Sequence, residues 1–189
     1  MTIYLVRHGQ DQDNANSILN GHRDTQLTEL GRTQALVPAE KLKDKNIDVI
    51  YSSPLKRAYS TAKIIADQIG IDNVIIEPDL IERDFGILTG KPVADIPKYC
   101  TDSIQTEQVL YFLDCEGSED FPTLLKRGQR VLEKITSEQP NKNIVIVAHG
   151  DIGKMIRAAY HNWTWKEGLM TPYFANTDIL ELSPVDTIK

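Results

Sequence analysis

Two short, mostly apolar runs of this chain are each followed within one residue by a His-Gly pair, and they constrain the fold more than any other feature. The segment "KNIVIVA" covers residues 142–148, and "TIYLV" covers residues 2–6. Continuous apolar runs rich in β-branched residues are typical of strands buried on both faces of a parallel sheet. His8-Gly9 and His149-Gly150 are therefore predicted to stand where two such strands leave the core.

The rest of the chain alternates between further strand patterns and amphipathic helix patterns. Strands are predicted at residues 47–53, 73–77 and 177–182, and helices at residues 27–45, 54–70, 122–138 and 151–161. The first of these helices has Thr28 as its N-cap, and Pro38 is expected to kink or split it. This alternation predicts an α/β fold, a three-layer sandwich whose mostly parallel central sheet is flanked by helices.

The length of the chain indicates one domain with an insertion. The chain has 189 residues, of which 41% are hydrophobic, enough to bury a core without disulfides or a structural metal. Residues from about 78 to 121 are less regular and include prolines at 78, 92 and 97. We interpret residues 1–189 as a single domain and residues 78–121, called the insertion below, as a small lid over a site.

Charge and cysteine content exclude several classes of protein. The formal net charge of −6 disfavours a broad nucleic-acid surface. No run approaches the roughly 20 apolar residues of a membrane helix, and the first residues do not have the pattern of a signal peptide. Cys100 and Cys115 form no CxxC motif and are expected to be reduced thiols in a cytoplasmic protein. The sequence is compatible with a monomer and with a homodimer.

Two histidines are expected to meet at one edge of the sheet. Parallel strands send their carboxyl ends to the same edge, so His8 and His149 are predicted to face each other there. Two imidazoles suit zinc binding or nucleophilic catalysis by histidine. Asp151 and Glu82 could complete a zinc site, but neither HxH nor HExxH occurs in the chain.

Nucleophilic catalysis on phosphorus would require cations beside the imidazoles. A phosphoryl group spreads negative charge over its oxygens in the transition state, and guanidinium groups and helix N-termini stabilise that charge. Arg7 adjoins His8, and Arg57 follows the second predicted strand at the start of a helix. The residues thus favour phosphoryl transfer over metal binding.

Five stretches of the chain, in order from residue 5 to residue 158, resemble the histidine phosphatase superfamily, also called the phosphoglycerate mutase-like fold. They are "LVRHGQDQDNANSILNG", "LTELGRTQA", "YSSPLKRAYSTA", "ERDFGILTG" and "VIVAHGDIGKMIRA". The resemblance implies that His8 is the nucleophile that becomes phosphohistidine. It also implies that Glu82 protonates the leaving oxygen and then activates water.

The same resemblance implies the residues that hold the substrate. The phosphate pocket would comprise Arg7, His8, Asn14, Arg57 and His149. Asn20 and Gly21 would touch the rest of the substrate, and His22 and Arg23, which follow directly, are further candidates. No metal or other cofactor is implied, since arginines supply the positive charge. A nucleophilic His8 must be neutral, so its pKa should be lowered by the neighbouring arginine, whereas the pKa of Glu82 should be raised.

The chain departs from the family pattern at two acidic positions. Asp11 stands where relatives often carry Ser or Thr, and it adds a negative charge close to the predicted phosphate site. Asp151 follows the second His-Gly pair, where many relatives have a small residue, and we expect it to cap the following helix.

The phosphoryl acceptor is expected to be water. A mutase of this family holds an intermediate with two phosphates, yet residues 92–125 contain one base, Lys98, and seven acids. Such a segment would repel a second phosphate. We therefore expect a metal-independent phosphomonoesterase acting on a phosphorylated small molecule that the sequence does not identify. A mutase-type phosphotransferase and a catalytically weak protein that binds a phosphorylated ligand are the alternatives.

Overall fold

The computed structural model describes residues 1–183, in which a central sheet has the strand order β3-β2-β6-β1-β7. The strands are β1 (Ile3–Arg7), β2 (Val49–Ser52), β3 (Val74–Ile76), β6 (Ile144–Ala148) and β7 (Ile179–Leu182). The first four are parallel, and β7 pairs antiparallel with β1. Every residue of β6 is buried, as expected for the central strand of a sheet that is covered on both faces.

Helices cover both faces of this sheet. The helices of the described chain are α1 (Gln12–Ala15), α2 (Glu29–Gln34), α3 (Leu36–Leu42), α4 (Lys56–Ile69), α5 (Ile96–Tyr99), α6 (Phe121–Glu138), α7 (Gly150–Tyr160) and α8 (Trp165–Leu169). Of these, α3 and α4 pack on one face of the sheet, and α6, α7 and α8 pack on the other. Ile3 and Leu5 of β1 face a core shared with α6 and α7, whereas Tyr4 and Val6 face a core shared with α3 and α4. The three-layer α/β sandwich predicted from the sequence is thereby confirmed. No helix within residues 1–183 combines the length and the apolar character needed to cross a membrane.

The expected interruption at Pro38 is confirmed, and it falls four residues before the proline. Helix α2 begins after Thr28, whose side chain accepts from the Gly31 N–H as predicted for the N-cap, and it ends at Gln34. Pro38 lies inside α3. A proline has no N–H and its ring crowds the carbonyl four residues earlier, which accounts for the break between the two helices.

The insertion carries short regular elements and a small core of its own. It contains turns of 3₁₀ helix at Pro78–Leu80, Gly86–Leu88 and Val93–Asp95, then α5 and a hairpin of β4 (Ser103–Gln105) and β5 (Leu110–Phe112). Its apolar cluster includes Phe85, Leu88, Ile96, Phe112 and Cys115. The sequence pattern predicted no strand here, because three-residue strands are too short to show an alternation.

A close backbone contact positions the loop after β1. A Cβ on Gly9 would overlap the carbonyl oxygen of Gly31 in α2, and a Cβ on Gly31 would overlap the carbonyl of Gln10. Only glycine at both positions permits this approach. The segment that carries His8 is therefore held directly against the backbone of α2.

Candidate active site

Three strand ends converge at one edge of the sheet. His8 follows β1, Ser53 follows β2 and His149 follows β6. The ring centroids of His8 and His149 are 5.0 Å apart, with the ring planes inclined by 60°. Both side chains are buried, at 2% and 0% exposure respectively. The structure thus brings together the two histidines that the sequence predicted to face each other.

The hydrogen bond of His8 defines which nitrogen carries its proton. His8 Nδ1 lies 2.7 Å from the carbonyl oxygen of Gly9. A carbonyl only accepts, so in the neutral ring the proton sits on Nδ1. The lone pair of His8 is consequently on Nε2, the nitrogen available for attack on an electrophile.

His149 is held through its other nitrogen. Its Nε2 lies 2.7 Å from Ser53 Oγ, and the Leu55 N–H donates to the same oxygen at 3.3 Å. The Ser53 hydroxyl can donate its proton to His149 Nε2, and in that tautomer the ring proton of His149 is on Nδ1.

Two guanidinium groups are fixed by backbone carbonyls beside these rings. Arg57 is fully buried and donates to the carbonyls of Arg23 (2.6 Å) and Gly21 (2.8 Å). Its Nε forms an ion pair with Asp11 Oδ2 at 3.2 Å. Arg7 donates from Nη1 to the Phe174 carbonyl at 2.7 Å. Both cations are therefore oriented by the fold.

Most of the unpartnered buried polar atoms in the described chain belong to this site. Within residues 1–183, four buried side-chain nitrogen or oxygen atoms have no hydrogen-bond partner: Arg7 Nε, Arg57 Nε, His149 Nδ1 and Thr25 Oγ1. Buried donors ordinarily find partners. Arg57 Nε has no partner in hydrogen-bond geometry, but it already lies 3.2 Å from the Asp11 carboxylate. Arg7 Nε and His149 Nδ1 are the two atoms of this set that are available to oxygen atoms of an anion.

The side chain of Glu82 contacts the first turn of α7, the helix that follows His149. Its Oε1 accepts from the N–H groups of Arg83 (2.9 Å) and Ile152 (3.1 Å), and its Oε2 accepts from Asp151 N–H at 3.2 Å. A Cβ built on Gly150 would lie 3.7 Å from both Glu82 Oε2 and the Arg7 guanidinium carbon. The carboxyl and the cation therefore flank the same glycine.

The loop that carries Glu82 is clamped by Arg127 of α6. Its guanidinium donates to the carbonyls of Asp79 (2.7 Å), Ile81 (2.6 Å) and Glu82 (3.2 Å), and it forms an ion pair with Glu119 at 2.7 Å. The Arg127 guanidinium thus makes five hydrogen bonds, three to backbone carbonyls and two to the Glu119 carboxylate. These charge-assisted bonds fix the position of the Glu82 loop relative to α6.

Burial and neighbouring charges set the protonation states of the site. Burial, followed by the charges of Arg57 and Arg7, lowers the pKa of His8 well below its ordinary value. Burial and Arg57 lower the pKa of His149 in the same way. Burial, followed by the charge of Asp151, raises the pKa of Glu82. At neutral pH the imidazoles are neutral, as a nucleophile requires, and the carboxyl is shifted toward its acid form.

These lowered pKa values predict a loss of stability on acidification. Below about pH 6.5 the unfolded chain binds protons on His8 that the folded chain does not bind, so folding becomes less favourable as the pH falls. Between pH 7.5 and 5.5, the wild type is expected to lose about 1 kcal/mol more free energy of unfolding than His8→Gln. Urea unfolding at the two pH values measures the difference; equal losses would contradict it.

The asparagines predicted to contact phosphate and substrate lie on the wall of a cavity. Asn14 and Asn20 both line it. Asn14 Oδ1 accepts from Asn176 at 3.2 Å, and Asn176 also donates to the His8 carbonyl at 2.8 Å. Asn20 donates to Asp11 at 2.6 Å. The amide of Asn14 thus keeps its own N–H donors for a ligand.

The remaining predicted substrate contacts lie outside this cavity. Gly21 and Arg23 accept from Arg57 through their carbonyls, and the Arg23 side chain pairs with Asp13 at 2.8 Å. His22 Nε2 lies 2.7 Å from the Glu82 carbonyl. In this structure these three residues connect the loop after β1 to Arg57 and to the Glu82 loop.

The cavity has a volume of about 380 Å³ and extends from the sheet edge to the insertion. Arg7, Asn14 and Glu82 line it at the sheet edge, while His8, Arg57 and His149 are buried behind this wall. Its far side is lined by residues of the insertion and of α7: Phe85, Ile96, Gln108, Tyr111, Phe112, Asp151 and Lys154. Within residues 1–183, no group of three or more His, Cys, Asp or Glu side chains is arranged to hold a metal ion.

Both acidic departures from the family pattern form ion pairs with arginine. Asp11 is buried, caps α1 by accepting from Asn14 N–H, and pairs with Arg57. Its negative charge thus orients a cation of the site. The expectation that Asp151 caps the helix is wrong, because the N-cap of α7 is His149. Asp151 lies in the first turn and binds Arg83 at 2.8 Å.

Sequence reasoning missed Ser53, Tyr173 and Asn176. Ser53 follows β2 directly, and its place at the strand end is a signal that could have identified it. Tyr173 accepts from Arg7 at 2.8 Å, and Asn176 binds the His8 carbonyl. Both lie in an irregular segment between α8 and β7, where no motif indicates a role.

Comparison with known proteins agrees with this geometry. The family model described as histidine phosphatase superfamily (branch 1) matches residues 3–186. Phosphoserine phosphatase 1 of Hydrogenobacter thermophilus is 34% identical over 148 residues, covering 78% of this chain and 70% of that protein. Phosphoglycerate mutase-like protein 4 of Arabidopsis thaliana is 36% identical over 166 residues, covering 84% and 69%.

A solved structure shares both the fold and the sequence pattern. The mycobacterial glucosyl-3-phosphoglycerate phosphatase in complex with VO3 superposes with a TM-score of 0.82 at 27% identity, covering 96% of this chain and 92% of that chain. Together with the family match over residues 3–186, this confirms the resemblance found in the sequence. The chain belongs to branch 1 of the histidine phosphatase superfamily and is a phosphatase of that family.

Proposed function

We propose that the chain hydrolyses phosphomonoesters of small molecules through a phosphohistidine on His8. The observation that carries this proposal is the pair of unpartnered nitrogen atoms, Arg7 Nε and His149 Nδ1, beside a neutral imidazole. The Arg57 guanidinium, which is buried and oriented by Asp11, supplies a second positive charge next to them. Donors that are fixed before the substrate binds stabilise the charge that develops on the phosphoryl oxygens. Phosphoserine phosphatase 1, a relative described above, supports a phosphorylated small molecule as the substrate.

In the first step, His8 Nε2 attacks phosphorus and the bond from phosphorus to the ester oxygen breaks. Glu82 donates its proton to the departing oxygen, so the leaving group departs as a neutral alcohol. The proton is assigned to Oε2, because Oε1 already accepts two N–H groups and Oε2 accepts only one. Arg7, Arg57 and His149 hold the three phosphoryl oxygens during transfer.

In the second step, the Glu82 carboxylate takes a proton from water and the water oxygen attacks the phosphoryl group. The nitrogen–phosphorus bond breaks, inorganic phosphate forms and His8 returns to its neutral state. In this scheme guanidinium groups supply the positive charge, and no step needs a metal. The Glu82 loop and the walls of the insertion face the leaving group, and we propose that residues 78–121 are part of the same functional domain as the sheet.

The test is hydrolysis of p-nitrophenyl phosphate in excess EDTA, followed by ³¹P NMR of the products from 3-phosphoglycerate with 2,3-bisphosphoglycerate present. We expect full activity in EDTA and release of inorganic phosphate. If activity is lost in EDTA and restored by zinc, His8 and His149 would be metal ligands instead. Isomerised phosphoglycerate without free phosphate would identify a mutase. Binding of inorganic phosphate without any turnover would identify a binding protein.

A further inference from the structure

Lys154 of α7 is a buried cation without a counter-ion beside the cavity. It is 3% exposed, and its Nζ donates to the carbonyls of Leu169 (2.9 Å) and Thr171 (2.8 Å). Within the described residues it forms no ion pair. Asp151 on the same helix is bound to Arg83 at 2.8 Å and acts on Lys154 only at longer range. Burial of an unpaired ammonium is unfavourable unless something compensates its charge.

This ammonium is charged at neutral pH. Burial lowers the pKa of Lys154 to about 8, with a further lowering by the positive charge of Arg157 and an opposing effect of Asp151. A group with that pKa is mostly protonated at pH 7. The two carbonyl oxygens accept two of its three protons, and the third remains for another acceptor.

Tyr111 of β5 lies against this lysine and also lacks a partner. Lys154 Nζ is 5.4 Å from the centre of the Tyr111 ring. Tyr111 is 4% exposed as a residue and lines the same cavity. Its hydroxyl oxygen is not among the fully buried atoms, and it has no hydrogen-bond partner within residues 1–183. Burial raises the pKa of this hydroxyl, and the charges of Arg7 and Glu82 also act on it. It is thus a neutral donor within electrostatic range of the reacting groups.

Both residues share one continuous cavity with Arg7 and Asn14 of the proposed phosphate pocket and with Glu82. Arg7, Asn14 and Glu82 line the same volume of about 380 Å³ as Tyr111 and Lys154. We propose that Lys154 and Tyr111 form a specificity subsite for a second anionic group, carried by the leaving-group part of the substrate. The proposal rests on the proposed phosphatase activity, which fixes the phosphate end of the substrate beside His8.

The charge of the subsite favours a carboxylate over a second phosphate. Lys154 supplies one positive charge, since Arg83 is already bound to Asp151. One ammonium and one hydroxyl match a carboxylate, with one charge and two oxygens, better than a phosphate dianion. Residues 92–125, which comprise much of the insertion and the start of α6, contain seven acidic side chains and one basic side chain, Lys98. The negative charge of this segment also disfavours a second phosphate.

The experiment compares two substrates that differ at this group alone. 3-Phosphoglycerate carries a carboxylate where glycerol 3-phosphate carries a hydroxymethyl group. We expect the wild type to hydrolyse 3-phosphoglycerate with a kcat/KM at least about tenfold higher. 2,3-Bisphosphoglycerate, which carries a second phosphate, is the third substrate. If the wild type prefers it to 3-phosphoglycerate and the preference depends on Lys154, the subsite binds phosphate and not carboxylate.

Two variants and a matched control assign the preference to residues. Lys154→Met should lower kcat/KM for 3-phosphoglycerate by about 10- to 100-fold and leave glycerol 3-phosphate within about twofold, because a charge-assisted hydrogen bond is lost for one substrate only. Tyr111→Phe breaks no hydrogen bond of the protein and should cost about 3- to 10-fold for 3-phosphoglycerate. Arg157→Met removes a cation from the same helix, outside the cavity lining, and should leave the preference unchanged.

The outcomes separate this subsite from the phosphatase itself. Equal turnover of the two substrates by the wild type, or a preference that survives in both variants, would overturn the subsite while leaving the phosphatase intact. Absence of any hydrolysis, including that of p-nitrophenyl phosphate, would overturn the proposed function and the subsite with it.

Discussion

His8→Ala is expected to lower kcat/KM for p-nitrophenyl phosphate by at least ~10³-fold. The variant removes the atom that forms the covalent intermediate. His149 offers no substitute nucleophile, because its Nε2 is bound to Ser53 at 2.7 Å. The donors of Arg7 and Arg57 remain, so affinity for inorganic phosphate should change far less than activity.

Chemical trapping distinguishes this role from a loss of folding. Wild-type enzyme quenched in alkali during turnover of ³²P-labelled substrate should retain alkali-stable, acid-labile label, and His8→Ala should retain none. His161→Ala is the matched control, since His161 stacks on Trp163 at a centroid distance of 4.3 Å, away from the site. Label that persists in His8→Ala, or equal loss in the control, would refute the assignment.

Glu82→Gln is expected to lower kcat for glycerol 3-phosphate by about 10²- to 10⁴-fold, the range contributed by general acid–base catalysis. The amide keeps the shape of the carboxyl but cannot donate its proton to the leaving oxygen. The loss in the phosphorylation step should be smaller for p-nitrophenyl phosphate, whose leaving group departs readily as an anion. Quench-flow measurement of phosphohistidine formation with the two substrates separates this step from hydrolysis.

The pH profile gives a second test of Glu82. The acid form is required for the first step, so the rate of phosphohistidine formation from glycerol 3-phosphate should fall as the pH rises through the raised pKa of Glu82. This alkaline limb should be absent in Glu82→Gln. Glu116→Gln, which alters an exposed carboxyl of the insertion, is the control and should keep both the alkaline limb and the wild-type rate of phosphohistidine formation. A pH profile of Glu82→Gln that parallels that of the wild type would contradict the role of Glu82 as general acid.

The sequence predicted those parts of the fold and the site that are encoded by patterns within a short segment of the chain. The buried strands β1 and β6 show as continuous apolar runs, and the order of strands and helices determines that their ends share an edge. The places of His8, His149 and Arg57 follow from that rule alone. Glu82 was identified through resemblance, because nothing in its local pattern distinguishes it from a surface glutamate.

The parts that the sequence did not predict depend on contacts between distant segments. Asn176 is 168 positions from His8, whose carbonyl it binds. The proposed subsite likewise joins Lys154 to Tyr111, a residue of another element. Asp151 was expected to cap a helix because its partner Arg83, 68 positions away, could not be foreseen. Such pairings are decided by tertiary packing, which a local pattern does not encode.

The clamp of Arg127 on the Glu82 loop has a consequence for the order in which products leave. In the proposed mechanism one carboxyl, fixed in one position, first protonates the alcohol and then deprotonates water. The departing alcohol and the incoming water must therefore occupy the same place in succession. The proposed mechanism thus requires that the alcohol leaves before phosphate. Inorganic phosphate should then compete with the substrate for the free enzyme, whereas the alcohol should act on the phosphorylated form.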